Sequence, residues 1–327
     1  MPELPHPRGP LSAAVLARLR DGSAPSVAVE DADPYGDDLQ LALYCCYELH
    51  YRGFTGVPDE REWDVPLLAL RGAMEQRFLA QLRADTTPDD DVATALDELL
   101  VEPAEARGVS HHLRDEGTVE QLREYVCHRS LYHLKEADPQ AFVIPRLAGA
   151  AKAGLVTVEH DEYGAGRPER MHSELFAQLM EALDLDPTYG RYLDQAAATT
   201  LAEVNLMSLC GLHRALRGAL VGQFATVELT SSPGSDRLVR GMRRLGLPEA
   251  AVAFYAEHVE ADAVHEQLVR RQVIAPLLVA EPALAADVVF GIRASTFLGD
   301  RFGEWLLSCW SAGRSSLREP AAQRGAG

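Results

Sequence analysis

The chain has no uninterrupted apolar stretch near the roughly 18–20 residues of a membrane span, so nothing in it points to a transmembrane helix. No basic start followed by an apolar run opens it, and no signal peptide is indicated. Cysteine is scarce: Cys45, Cys46, Cys127, Cys210 and Cys309 are the five in 327 residues. None forms a C-x-x-C pair or a zinc-finger spacing, which excludes a disulfide scaffold and a zinc module. They read as reduced, mostly buried thiols of a cytoplasmic protein. Basic clusters are lacking as well. With a net charge of −18 and no basic stripe, the surface suits neither nucleic acid nor an anionic membrane. No Walker loop is found, and Gly164-x-Gly166 lacks the preceding strand that dinucleotide binding requires. Ser173 beside His172 has no G-x-S-x-G turn around it, so a hydrolase nucleophile is not supported. Strand alternation and internal repeats are absent too.

What is present is helical. Hydrophobic residues make up 47% and charged residues 24%, the mixture of an ordinary globular protein. Residues 1–35 are rich in Pro, Gly and Asp and read as a loosely held arm around a short helix at 11–20. Apolar spacing predicts helices over 37–51, 67–83, 91–100, 119–137, 145–163 and 169–183. Further helices are expected over 187–209, 212–230, 235–245, 248–271, 275–280 and 283–312. The fold class is all-α. A composition shift near 105–117 divides an N-terminal helical subdomain (1–115) from a larger bundle (116–313), and 314–327 reads as a disordered tail.

The most informative stretch runs from Phe254 to His265. His258, Asp262 and His265 stand at i, i+4 and i+7, so their side chains share one face of a helix. Such groups are costly to bury without partners or a metal. One helix supplies only part of a coordination sphere, and helical bundles build dinuclear iron sites from carboxylates and histidines on several helices. Acids in apolar or boundary contexts supply the rest: Glu136 before Ala-Asp-Pro, Glu162 ten residues before His172, and Glu228 in Gln-Phe-Ala-Thr-Val-Glu-Leu. Glu203 rivals Glu228. The two lie 25 residues apart, about 37 Å on continuous helix, so both cannot reach one centre. Glu162 and His172 are separated by a Gly-Gly-Pro interruption, and helical-wheel arithmetic does not bring them together.

The ordered set Glu136, Glu162-x9-His172, Glu228 and His258-x3-Asp262-x2-His265 resembles the haem-oxygenase-like diiron oxidases and oxygenases, the iron-containing redox enzymes. Leu-Lys-Glu-Ala-Asp-Pro, Asp-Glu-Tyr-Gly-x-Gly and Glu-His-Val-x-Ala-Asp-Ala-x-His match as context, and the resemblance covers about residues 120–310. It implies a haem-oxygenase-like helical bundle holding two iron ions, with O2 as co-substrate and these seven residues as ligands. It also favours Glu228 over Glu203. The third histidine, His265, is similar to the branch that oxygenates nitrogen. The implied function is a non-haem diiron N-oxygenase acting on a small amine, guanidine or aminoazole, with electrons from an external donor. The resemblance alone also implies a homodimer. The alternatives are oxidative C–C cleavage or desaturation of a fatty acid or amino acid, and a cofactor-free thiaminase-like or scaffold protein of the same fold. Tyr132, Arg146, Tyr163 and Arg293 are candidate pocket residues.

Overall fold

The computed structural model describes residues 1–102 and 105–319, apart from the side chains of 260–263. All regular structure among them is helical. The N-terminal segment is held firmly. Helix α1 (Pro10–Asp21) buries Leu11, Val15, Leu16 and Leu19, one stripe of a 3.6-residue repeat. Its first turn is capped from the next helix, α2 (Asp37–Glu48): the Asp38 carboxylate accepts from the Leu11 and Ser12 amides and from the Ser12 hydroxyl. Residues 39–48 are buried all round, which makes α2 a core helix. Arg8 pairs with Asp37 at 3.1 Å, and His6 with Asp194 at 2.8 Å. The loosely held arm expected over residues 1–35 is instead docked, because its apolar stripe and its cap both need α2.

Helices α3 (Val65–Asp85) and α4 (Val92–Leu99) complete this layer. Asp64 caps α3 through the Leu67 amide and binds Arg18 of α1, so one carboxylate ties two helices. Helix α5 (Val109–Asp115) occupies the expected joint, and Arg244 donates to the Leu113, Arg114 and Gly117 carbonyls to clamp it. One apolar cluster runs from Leu11 through α2 and α3 to Leu298, so the core is continuous across this region.

The bundle proper consists of α6 (Val119–His133), α7 (Asp138–Ala141), α8 (Gly149–Glu162), α9 (His172–Ala182), α10 (Ala198–Leu212), α11 (Arg217–Arg244), α12 (Glu249–Leu268), α13 (Ala275–Ala280) and α14 (Ala285–Ser311). A single π-helical turn, Val269–Ile274, joins α12 to α13. A Cβ on Gly222 would stand 2.0 Å from the Val288 carbonyl oxygen, and one on Gly291 2.0 Å from that of Ala219. Only glycine lets α11 and α14 pack at that separation.

Three expected boundaries move. The helix expected over 187–209 begins at Ala198. Before it, the Asp186 carboxylate accepts from the Thr188 amide, Gly190 takes φ +73°, and Arg8 binds the Leu193 carbonyl, all turn chemistry. The break expected at 231–234 does not occur: α11 runs through Pro233, with Leu229, Leu238, Val239 and Met242 buried on either side. Burial on both sides of the exposed Pro233 outweighs the amide that proline lacks. Residues 314–319, expected within a disordered tail, are held in place instead. Ser316 is buried, Glu124 accepts from its amide and hydroxyl, and the Arg318 amide donates to the Gln195 carbonyl. Residues 320–327 lie outside the described set.

All five cysteines are free and buried. No single described helix is long and apolar enough to cross a membrane.

Candidate metal centre

A second apolar cluster gathers α5, α6 and α9 with the later halves of α11 and α14 and the start of α12. The candidate ligands stand where the two clusters meet, with Tyr132 and Phe224 from the first and Phe176 and Phe254 from the second. Each reaches this boundary for a local reason.

Glu136 sits just beyond α6, in a turn that Ala137 closes with φ +72°. The turn is held by Lys135, whose ammonium meets Glu48 at 3.0 Å and lies 4.0 Å from the centre of the Tyr51 ring. Tyr189 donates to the same Glu48 carboxylate at 2.8 Å. The N-terminal layer therefore sets the position of Glu136.

Glu162 ends α8. Gly164, Ala165 and Gly166 then all take positive φ and reverse the chain. A Cβ on Gly164 would lie 2.7 Å from the Met171 nitrogen, so this reversal needs glycine for both conformation and space. It returns His172, the first residue of α9, over Glu162, with Nδ1 2.7 Å from Oε2. Glu228 follows Val221, Phe224 and Ala225 on the buried face of α11. His258 and His265, seven apart on α12, are both buried. Asp262 lies in the same helix, and its side chain falls outside the described residues.

The six described side chains fall into two groups. Glu136, Glu162, His172 and His258 offer donor atoms that all lie within 4.8 Å of one another, as do Glu162, Glu228 and His265. Glu162 belongs to both. The donor geometry suits metal ions better than hydrogen bonds. Although His172 Nδ1 is 2.7 Å from Glu162, it makes no hydrogen bond there, and Glu136 Oε2 also lacks a partner among the described residues. Two atoms bound at right angles to one ion, with bonds of about 2.1 Å, stand about 3 Å apart. Carboxylates and imidazoles are the donor set that iron accepts, and a carboxylate shared by two groups can bridge two ions.

Behind the donors, partners orient the rings. His258 Nδ1 is 2.8 Å from the Phe254 carbonyl, so it donates there and turns Nε2 towards Glu136, 3.6 Å away. His265 Nδ1 lies 3.1 Å from Glu228 and 3.6 Å from Glu162, while its Nε2 faces Asp161 at 3.4 Å. His133 Nδ1 meets Glu136 Oε1 at 2.8 Å, with its ring between Phe176 and Phe254. Burial disfavours the Glu136 carboxylate, but His133 and His258 outweigh it and hold its carboxyl well below the usual range. Burial also disfavours the His172 cation, yet contact with Glu162 prevails and raises its pKa. Tyr132, Phe224 and Val227 wall a narrow cleft at the centre.

Of the four expected pocket residues, Tyr132 alone lines this cleft. Arg146 is used by the Gly211 and Leu212 carbonyls, the Tyr163 hydroxyl donates to Asp138, and Arg293 pairs with Glu98. Charge type alone could not distinguish these structural partners from a substrate. His133, Asp161 and a further buried acid, Glu159, were not anticipated. The signal for His133 and Glu159 was present in the spacing, since each is three residues before a candidate ligand on or beside a helix.

Glu203, the rival of Glu228, is engaged elsewhere: it meets Arg129 at 3.1 Å. Glu228→Ala is expected to lower iron uptake by about one ion per chain, as for loss of a coordinating carboxylate. Glu203→Ala should leave uptake unchanged and lower the melting temperature, because it strands the Arg129 guanidinium. Iron analysis after anaerobic loading, paired with thermal melts, separates the two; the reverse pattern would move the centre to Glu203.

Comparison with known proteins agrees with the geometry. The family model of the iron-containing redox enzymes matches residues 123–300, more than half of the chain and every candidate ligand. The chain is also similar to the nitrosourea synthase of Streptomyces achromogenes subsp. streptozoticus, with 26% identity over 161 residues. That match covers 49% of this chain and 34% of the synthase, so the chain spans about a third of that relative's length. With its all-α haem-oxygenase-like bundle and this match, the chain belongs to the family of iron-containing redox enzymes.

Proposed function

We propose that the chain is a non-haem diiron N-oxygenase that uses O2 to oxidise the nitrogen of a small amine, guanidine or aminoazole. The observation that carries the reading is the pair of buried donor groups joined at Glu162, a carboxylate placed to be shared by two ions. Similarity to a nitrosourea synthase, a protein named for a product that carries a nitroso group, supports the nitrogen chemistry. In this reading Glu136, His172 and His258 would hold one iron, Glu228 and His265 the other, and Glu162, common to the two groups, could serve both; Asp262 is the seventh ligand proposed from the sequence. When bound, the ferrous pair supplies the electrons and the Lewis acidity for dioxygen activation.

The chain's own residues do the rest. His133 holds the Glu136 carboxylate by its Oε1, and the Phe254 carbonyl fixes the His258 ring. Asp161 faces His265 Nε2 and strengthens that imidazole as a donor. Tyr132, Phe224 and Val227 line the cleft and limit the entry of bulk water, which would guard against hydrolysis and proton leakage there. Burial, then Glu136, pushes the Tyr132 phenol well above its ordinary pKa, so it stays protonated and can donate a hydrogen bond into the cleft. We assign the returning electrons to a separate reductase or a small reductant.

The test is anaerobic loading with Fe(II), exposure to ¹⁸O2, and mass spectrometry on a panel of amines, guanidines and aminoazoles. About two irons per chain and ¹⁸O on nitrogen are expected. Label that never reaches nitrogen, with shortened or desaturated fatty or amino acids instead, would replace N-oxygenation by oxidative cleavage or desaturation. Absence of iron uptake would leave the thiaminase-like or scaffold reading.

A further inference from the structure

Lys135 is 2% exposed and Glu48 is fully buried, and the two meet at 3.0 Å. Lysine is almost never fully buried unless it is paired. Such a pair is a poor source of stability, because desolvation offsets the attraction and apolar residues of similar size do as well or better. Its place in the chain says what else it does. Lys135 comes directly before Glu136, in a turn just beyond α6. There the Lys135 and Glu136 amides donate to the Tyr132 and His133 carbonyls, three residues back, and Ala137 takes φ +72°. With the backbone closed this tightly, a shift of Lys135 moves Glu136 with it.

Glu48 gathers the elements around that turn. Tyr189, from the loop before α10, donates to both of its carboxylate oxygens at 2.8 Å. The Arg52 guanidinium stacks on the Tyr189 ring at 4.1 Å and donates to the Leu134 carbonyl at 3.0 Å. Tyr44 and Tyr51 face the Lys135 ammonium, 4.9 and 4.0 Å from their ring centres. Helix α2, which ends at Glu48, is fixed at its other end, where Arg8 and Arg318 both bind Asp37. Asn205 of α10 holds it in between, donating to Gln40 Oε1 at 2.7 Å. The N-terminal layer therefore grips the turn before Glu136 twice, through Lys135 and through the Leu134 carbonyl. Glu162, Glu228 and His265 come from α8, α11 and α12 instead.

We propose that docking of the N-terminal layer and iron binding at Glu136 are one coupled event, with Glu48 as the hub that joins them. Glu48, Lys135 and Arg52 are then positioning residues: the layer presents Glu136 to the ion, and the ion in turn holds the layer. Coupling of this kind is reciprocal, so each equilibrium changes the other by the same factor. This rests on the metal-binding part of the reading above and is independent of the nitrogen chemistry.

The test replaces the pair by uncharged residues of similar size, Glu48→Gln together with Lys135→Met, which strands neither charge. The double variant should melt close to wild type and bind one of its two irons about 10- to 100-fold more weakly, as when a group that orients a ligand is lost. Affinities come from anaerobic Fe(II) titration against a chelator. Arg52→Ala, a change at an exposed residue, should weaken the same iron, and it carries the test should the double variant fail to fold. Amide exchange supplies a second readout. Fe(II) should slow exchange over residues 44–52 in wild type, and that slowing should be lost in the variant while the slowing over α8 remains. Two irons held with wild-type affinity by the folded variant, or iron-dependent slowing over 44–52 that persists in it, would make the pair a structural contact and overturn the proposal. Equal weakening of both irons would overturn it too, since the layer would then support the whole bundle and not Glu136. Wild-type protein that takes up no iron would instead remove the metal centre itself, and this proposal with it.

Discussion

Glu162→Ala should remove both irons at once, because Glu162 is the one described side chain common to the two donor groups. Each remaining group would keep its other donors, but neither would keep the shared carboxylate that offsets charge for two neighbouring cations. Affinity at both positions should fall on the order of a hundredfold or more, beyond the 10- to 100-fold typical of supporting groups. Turnover should vanish with it. The metal-free variant should fold as well as wild-type protein, since a buried carboxylate is costly without a partner and its field also acts on Glu159. The measurement is iron per chain after anaerobic loading and gel filtration, beside the far-ultraviolet circular dichroism of the same sample. A variant that holds two irons would mean that Glu162 is not shared.

His258→Ala addresses one group only. Its ring belongs with Glu136, Glu162 and His172, and its Nδ1 is committed to the Phe254 carbonyl. Removal should leave about one iron per chain, held through Glu162, Glu228 and His265, and abolish oxidation, because the proposed chemistry on dioxygen uses a pair of ions. Helix content should hardly change. The ring packs on Phe254 and His172 at 4.4 Å, so some loss of thermal stability is expected, on the order of 2 kcal/mol for a partly collapsed buried site. One iron lost here against two for Glu162→Ala is the contrast that defines a bridged centre. Normal turnover by His258→Ala with both irons in place would show that the constellation is misassigned.

The fit between spacing and structure differs from element to element. On α12 the ligand types lie on one continuous helix, and helix geometry alone aligns positions seven apart, so His258 and His265 were legible as partners before any fold was known. Glu228 was legible as an acid in an apolar stretch, but its choice over Glu203 leaned on the family resemblance. In the structure Glu203 is paired with Arg129, which comes from a distant helix. Boundaries failed where local and tertiary preferences conflict. Pro233 and its flanking serines signal a break, yet α11 continues because buried residues on both sides demand it. The tail after Arg314 lacks apolar periodicity, yet Glu124 and Gln195 pin it through hydrogen bonds that no periodicity reveals.

From the sequence by itself came the helical class and the candidate ligand types in their order. Those follow from periodicity and residue chemistry, which are properties of short stretches of chain. Only the tertiary structure decided that a reversal through Gly164, Ala165 and Gly166 returns His172 to Glu162. The same holds for the Glu48–Lys135 pair that places Glu136, and for the division of the donors into two groups joined at Glu162. Contacts between groups 10 to 90 residues apart are fixed by how helices pack, and packing depends on the whole set of buried faces at once. Glu159 belongs to the same category: its identity was plain in the chain, but a carboxyl becomes buried without a hydrogen-bond partner among the described residues only when the fold closes around it.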